Sequence, residues 1–318
     1  MPGTSALTAV LLGAALAVPG PTPLLRLQDP ALLESSGLAV SAVHDDVLWT
    51  HADGGPVAEV RAVDASGETV AVVTLADIDP FDPEALAPGS AADGSPALFL
   101  GDIGDNRLVR PDVSVFRFDE PDTLQDQTVP ATWYRFTYPD GPHDAEALLV
   151  DPRSGRLLVA TKGFSDAGLY RAPSDLVTAD EGTNRLVRVA GVPALVTDGA
   201  YLPDGRFALR TYSTLHLYDR PGQQVAADQL PGQPQGESLA VDGDRLLVGS
   251  EGERSAVYAV EVPRPDTAVD EAPTTADRSP GRSDDAAGWR DAYRIARAVA
   301  IVVLLVGVVV FLRRGRRR

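Results

Sequence analysis

At five places in this 318-residue chain a carboxylate stands at the head of a short apolar segment. The segments are Glu34-Ser-Ser-Gly-Leu-Ala-Val, Glu84-Ala-Leu-Ala, Glu146-Ala-Leu-Leu-Val, Asp198-Gly-Ala-Tyr-Leu and Glu237-Ser-Leu-Ala-Val, with heads 50, 62, 52 and 39 residues apart. Acids brought to one place have two chemistries open to them. Ionised carboxylates a few Å apart raise one another's pKa, and a hard cation such as Ca2+ relieves that conflict with oxygen ligands alone. The other chemistry is structural, each acid accepting backbone amides of a neighbouring strand and tying repeat to repeat. With no cysteine and four histidines, thiolate ligands are excluded and a zinc site is disfavoured.

The head spacing is that of one propeller blade, close to WD40-like repeats. In a propeller the first strand of each blade lines a central channel and the second returns antiparallel, so its end lies beside the first strand's start. The second-strand ends read Thr50-His51-Ala-Asp53, Gly101-Asp102-Ile-Gly-Asp105-Asn106, Thr161-Lys162-Gly163, Arg210-Thr211-Tyr212 and Ser250-Glu251-Gly252. The expected metal ligands at the channel mouth are therefore Glu34, Glu84, Glu146, Asp198, Glu237, Asp102 and Asp105. The expected ligand-binding groups are His51, Asp53, Asn106, His143, Lys162, Arg210 and Glu251.

Several of these have two readings. Gly101 to Asn106 suits a cation loop and equally a turn, because Asp and Asn cap turns and Gly supplies positive φ. His143, just ahead of Glu146, reads as a base, a ligand or a solvated loop side chain. Lys162, Arg210 and His51 beside a metal would suit a surface phosphoesterase. No catalytic residue is assigned: Gly163-Phe-Ser165-Asp-Ala lacks the closing glycine of a nucleophile elbow, and there is no zinc-protease helix or phosphate loop.

Strands that would carry these groups come in fours, at 37–41, 47–51, 59–64 and 69–75 for the first blade and 84–87, 97–101, 113–118 and 132–138 for the second. Blades three and four cover 145–192 and 199–230. The fifth has only 238–241, 245–249 and 256–262, and Leu24-Leu25-Arg26-Leu27 is expected to close the ring as its missing strand. The fold class expected is thus all-β, a propeller over 23–263, with five blades favoured and six possible.

The flanks read as a membrane-bound, exported chain. Residues 1–22 contain an apolar run at 6–18 in which Ala15-Leu16-Ala17 fits a cleavage site, the pattern of a signal peptide. An acidic, Pro-rich stalk spans 264–288, a single transmembrane helix 289–312, and an Arg-rich cytoplasmic tail 313–318. The formal charge of −17 includes five tail arginines, so the rest carries −22. Such a surface repels nucleic acid and attracts cations or basic partners. The expected partners are the membrane, through that one span, and a protein, a cation or a phosphorylated ligand.

Glu34-Ser-Ser-Gly-Leu, Leu48-Trp-Thr-His51-Ala-Asp53, Asp82-Pro-Glu84-Ala-Leu-Ala, Gly101-Asp-Ile-Gly-Asp-Asn106 and Gly236-Glu237-Ser together resemble a group of uncharacterised secreted β-propellers of actinobacteria. More distantly they resemble the phytase-like and SdiA-regulated propellers. The resemblance covers most of residues 30–262 and implies a calcium-compatible propeller, some of whose relatives have esterase or phytase-like activity. The expected function is a membrane-anchored, extracytoplasmic binding module with a divalent cation at the channel mouth, the alternative being a metal-dependent phosphoesterase at the cell surface.

Overall fold

The computed structural model describes residues 22–265, in which strands form five mainly antiparallel sheets arranged as a ring. Five blades is therefore the number. The signal peptide, apart from residue 22, and the transmembrane helix and tail lie outside the described residues, as does all of the stalk beyond residue 265. Among the described residues no helix is long and apolar enough to cross a membrane.

The inner strands are Ser35–Val40, Pro83–Ser90, Ala145–Val150, Val196–Tyr201 and Gly236–Asp242, and each touches the inner strands on both sides. Burial on both faces explains why they read as apolar runs rather than as alternating strands. All six residues of Ala145–Val150 are buried, whereas the outermost strand Gln223–Gln229 is mostly exposed. Gly37 is required by this crowding: a Cβ there would lie 2.1 Å from the Leu86 nitrogen of the next blade.

The apolar core is divided into five clusters, one between each pair of neighbouring blades. The wedge between blades one and two holds Trp49, Leu86, Leu98, Phe116 and Phe118, all nearly or fully buried. The ring closes as expected, with Leu25–Arg26 pairing antiparallel to Val257 and Ala256 on the last blade. Two pairings were not legible beforehand. Gln127–Val129 adds in parallel to the outer strand Thr69–Leu75 of the first blade, and Asn184–Arg185 adds in parallel to Thr132–Thr137 of the second. In both, a connection within one blade reaches back and covers the edge of the blade before it.

Candidate functional site: an acidic channel mouth

One local device recurs in every blade. The first paired residue of the inner strand faces the end of the second strand: Ser35 with Ala52, Pro83 with Asp102, Ala145 with Thr161, Val196 with Thr211, and Gly236 with Ser250. The register shifts immediately afterwards in all five, a bulge of the kind that re-aims a side chain. The residue next after the first pair is Ser36, Glu84, Glu146, Thr197 or Glu237. Of the five expected heads, three are equivalent. Glu34 lies one residue before the first pair and Asp198 two after it.

The hydroxyls and buried bases of this region tie blade to blade. Ser36 Oγ donates to the Glu84 carbonyl at 2.8 Å, and Thr197 Oγ1 to the Gly236 carbonyl at 3.0 Å. Asp198 accepts from Gly199 N at 2.7 Å and, across blades, from Leu239 N at 2.6 Å. Arg210, fully buried, donates through Nη1 to the carbonyls of Ser238 and Gly249, both at 2.9 Å, and through Nη2 to Gln233 Oε1. Burial lowers its pKa to about 10 despite Asp198 and Glu237 nearby. Within blade one, His51 accepts the Gly37 N–H on Nε2 at 3.1 Å, which leaves its proton on Nδ1 facing the Ala52 carbonyl. Its burial pushes its pKa down to about 4, so it is neutral at physiological pH.

The glutamates at the bulge do something else. Asp53, Asp82 and Glu84, from blades one and two, bring carboxylate oxygens within 4.8 Å of one another. The Gly101–Asn106 loop supports this group. Asp102 accepts the Asp82 N–H at 2.8 Å and pairs with Arg110 at 2.8 Å, and Asp105 accepts Val109 N and Arg110 N at 3.0 and 2.7 Å. Those two acids are thus engaged in holding the loop. A Cβ at Gly104 would lie 2.5 Å from Asp82 Oδ2 and 2.8 Å from Glu84 Cγ, so glycine is what lets the two acids converge. Asn106 is exposed, with its amide beside Asp82.

On the other side of the mouth, Lys162 Nζ pairs with Glu146 Oε1 and sits 5.3 Å from the Tyr212 ring centroid. Glu146 and Glu237 hold its pKa above the ordinary lysine value against the opposing effect of burial. Glu237 is 3% exposed, and its Oε2 is buried with no hydrogen-bond partner. Asp144 accepts the Asp105 N–H at 2.8 Å. Glu251 is half-buried and exposed Glu34 lies near it.

Eight carboxylates therefore share this face with one lysine: Glu34, Asp53, Asp82, Glu84, Asp144, Glu146, Glu237 and Glu251. Burial first, then Asp82, Glu34 and Glu237, raises Asp53 to about 6. Burial, then Glu237, Asp53 and Glu34, raises Glu251 to about 7. Glu84 is pushed far up by burial and by Glu146, Asp53 and Asp82. Burial also raises Asp82, Asp144, Glu146 and Glu237. All of these shifts favour the neutral form of the mouth acids.

His143 is part of a separate cluster, 3.0 Å from both Asp140 Oδ1 and Tyr170 OH, with its ring edge-on to Tyr138. Asp82 and Asp144 are not among the ligands expected from the sequence. The signal was a polar residue two before the bulge position, in Glu34-x-Ser36, Asp82-x-Glu84, Asp144-x-Glu146 and Gln235-x-Glu237.

No protein-family model and no curated protein matches this chain. Among solved structures it is similar to a gluconolactonase of Xanthomonas campestris, at 14% identity and TM-score 0.40 over 79% of this chain and 99% of the other. It is also similar to a chain of a nidogen–laminin complex, at 13% identity and TM-score 0.39 over 70% and 82%. Neither adds support for a phytase-like or actinobacterial kinship. What is established is the architecture, a five-bladed β-propeller closed by its own N-terminal strand.

Proposed function

We propose that the chain is a binding module, held outside the cell by the span at 289–312, whose channel mouth carries a divalent cation of the calcium class on Asp53, Asp82 and Glu84. The observation that carries this reading is the convergence of three half-buried or buried carboxylates from two blades within 4.8 Å, at a point that Gly104 leaves clear. Two unit charges 4 Å apart cost about 4 kcal/mol at an effective dielectric near 20, so the unliganded cluster holds protons. A hard cation replaces those protons with a charge that oxygen ligands prefer. Three carboxylates leave several of the six to eight calcium positions for water and for ligand oxygens.

Structural stitching, the competing chemistry, falls on Ser36, Thr197, Asp198 and Arg210, which leaves Glu84 and Glu237 for ligand work. The phosphoesterase alternative draws no support, because Arg210 and His51 face backbone and Lys162 is paired with Glu146.

Calorimetric titration of the chain with calcium chloride is expected to show one site that releases protons near pH 6 and disappears in Asp82→Asn. Heat that is absent, or indifferent to Asp82→Asn, rejects the site. For the anchor, the chain is expected in the membrane fraction; recovery without detergent contradicts it.

A further inference from the structure

Acids are not the only unusual residues on the mouth face. The connections from second to third strand and from fourth strand to the next blade all emerge there, and they carry the most exposed large apolar side chains of the described residues. Phe164 is 84% exposed, Phe81 64%, Val109 63% and Leu108 56%. Phe164 follows Lys162 by two residues, and Phe81 immediately precedes Asp82. Phe81 lies under the Arg110 guanidinium at 4.8 Å, and Leu108 and Val109 belong to the loop whose amides Asp105 holds. These four border the mouth on blades two and three.

Leu108 is informative twice over. Its φ is +53°, a left-handed conformation that favours glycine or asparagine, and its side chain is not rewarded with burial. Neither folding nor solubility explains a leucine there. Single exposed apolar residues are ordinary on soluble proteins, but several beside one charged cavity mark an interaction surface.

We infer that the mouth face docks a protein segment that carries an arginine or lysine next to bulky apolar side chains. The basic side chain goes to Glu34 and Glu251 at the seam of blades five and one, which the Gly252 N–H ties together by donating to the Leu33 carbonyl at 2.8 Å, and the apolar side chains go to Phe81, Leu108, Val109 and Phe164. Charge selects this occupant. Lys162 is already paired with Glu146, so the remaining mouth acids have no lysine of their own and receive an incoming cationic side chain, which favours their ionised form. Anionic lipid and nucleic acid are repelled by this face. The inference rests on the proposed reading only in taking this face as the binding face; it does not need the metal.

The test is selection of short random peptides displayed on phage against the full chain, in calcium and in chelator, with counter-selection on Leu108→Ser/Val109→Ser/Phe164→Ser. These positions are exposed, so the variant keeps its circular dichroism and melting temperature. Enriched peptides are expected to place Arg or Lys within a few residues of Phe, Leu or Trp. Their affinity is expected to fall about tenfold or more on the triple variant and on Glu34→Gln/Glu251→Gln. No enrichment, acidic or uncharged winners, equal binding to the variants, or preference for phosphatidylserine vesicles over peptides overturns the inference. Calcium binding without peptide selection leaves the cation reading standing and removes this one. Peptide selection without calcium binding does the reverse.

Discussion

On the face opposite the mouth, Asp64, Asp93 and Asp204 sit in hairpin turns and accept the N–H groups of Ser66, Ser95 and Arg206 at 2.9, 3.0 and 2.9 Å. Their pKa values lie below the usual aspartate range, because hydrogen bonds from Ser66, Ser95 and Arg206 favour the ionised form at sites that burial barely touches. On the mouth face, Asp53, Asp82 and Glu84 are raised by burial and by one another. The same functional group thus stabilises turns at one end of the ring and works against the fold at the other. An aspartate that caps a turn explains itself, whereas an acid that costs stability where it stands points to a ligand.

That contrast can be broken by substitution. The largest effect is expected at the stitching residues. Arg210→Ala strands the carbonyls of Ser238 and Gly249 and the Gln233 amide in a buried seam, and should cost about 3 kcal/mol or more in urea unfolding. Glu84→Gln should do the opposite in the absence of metal, raising stability by on the order of 1 kcal/mol because the amide keeps the side chain's shape without the proton that burying Glu84 demands at neutral pH. Asp64→Asn, on the far face, should leave the melting temperature within about 2 °C and calcium binding intact. A mouth acid whose neutralisation destabilises the chain would be a stitch after all.

The pH dependence sharpens the same contrast. Asp53 titrates near 6 and Glu251 near 7 in the folded chain, against 3.8 and 4.5 as ordinary values. Between those limits the folded state binds more protons than the unfolded one, so stability falls as pH rises from about 4 to 7. Saturating calcium should flatten that fall, as seen in melting temperatures across the window. A small gain is expected at Leu108→Gly, where relief of the left-handed strain should stabilise the chain by about 0.5–1 kcal/mol, measured by urea unfolding.

Much of the ring was legible in the sequence, and for physical reasons. Inner strands such as Ala145–Val150 are buried on both faces and so appear as apolar runs, and Leu25–Arg26 stood out as a strand without a neighbour. The site was legible only to within a residue or two. Acids near the strand heads were plain, but a shift of one residue in a strand turns a side chain to the other face. The bulge therefore sorts Glu84, Glu146 and Glu237 from Glu34 and Asp198, and no local composition announces it. Arg210 and His51 illustrate the same limit: both lie at the second-strand ends as expected, yet Arg210 turns into the seam with the next blade and His51 onto the Gly37 amide of its own blade, where backbone groups needed partners.

Thermal unfolding of the chain and of its Glu84→Gln variant, each in excess calcium and in chelator, reaches the centre of the matter most directly. A ligand that binds only the folded state raises its midpoint, by about 2.7 kcal/mol of stabilisation at a hundred times the dissociation constant. The chain should melt several degrees higher in calcium, and Glu84→Gln should melt higher than the parent in chelator but gain nothing from calcium. A parent midpoint indifferent to calcium, together with a Glu84→Gln variant that melts lower in chelator, would mean that the mouth acids hold the blades together and nothing more.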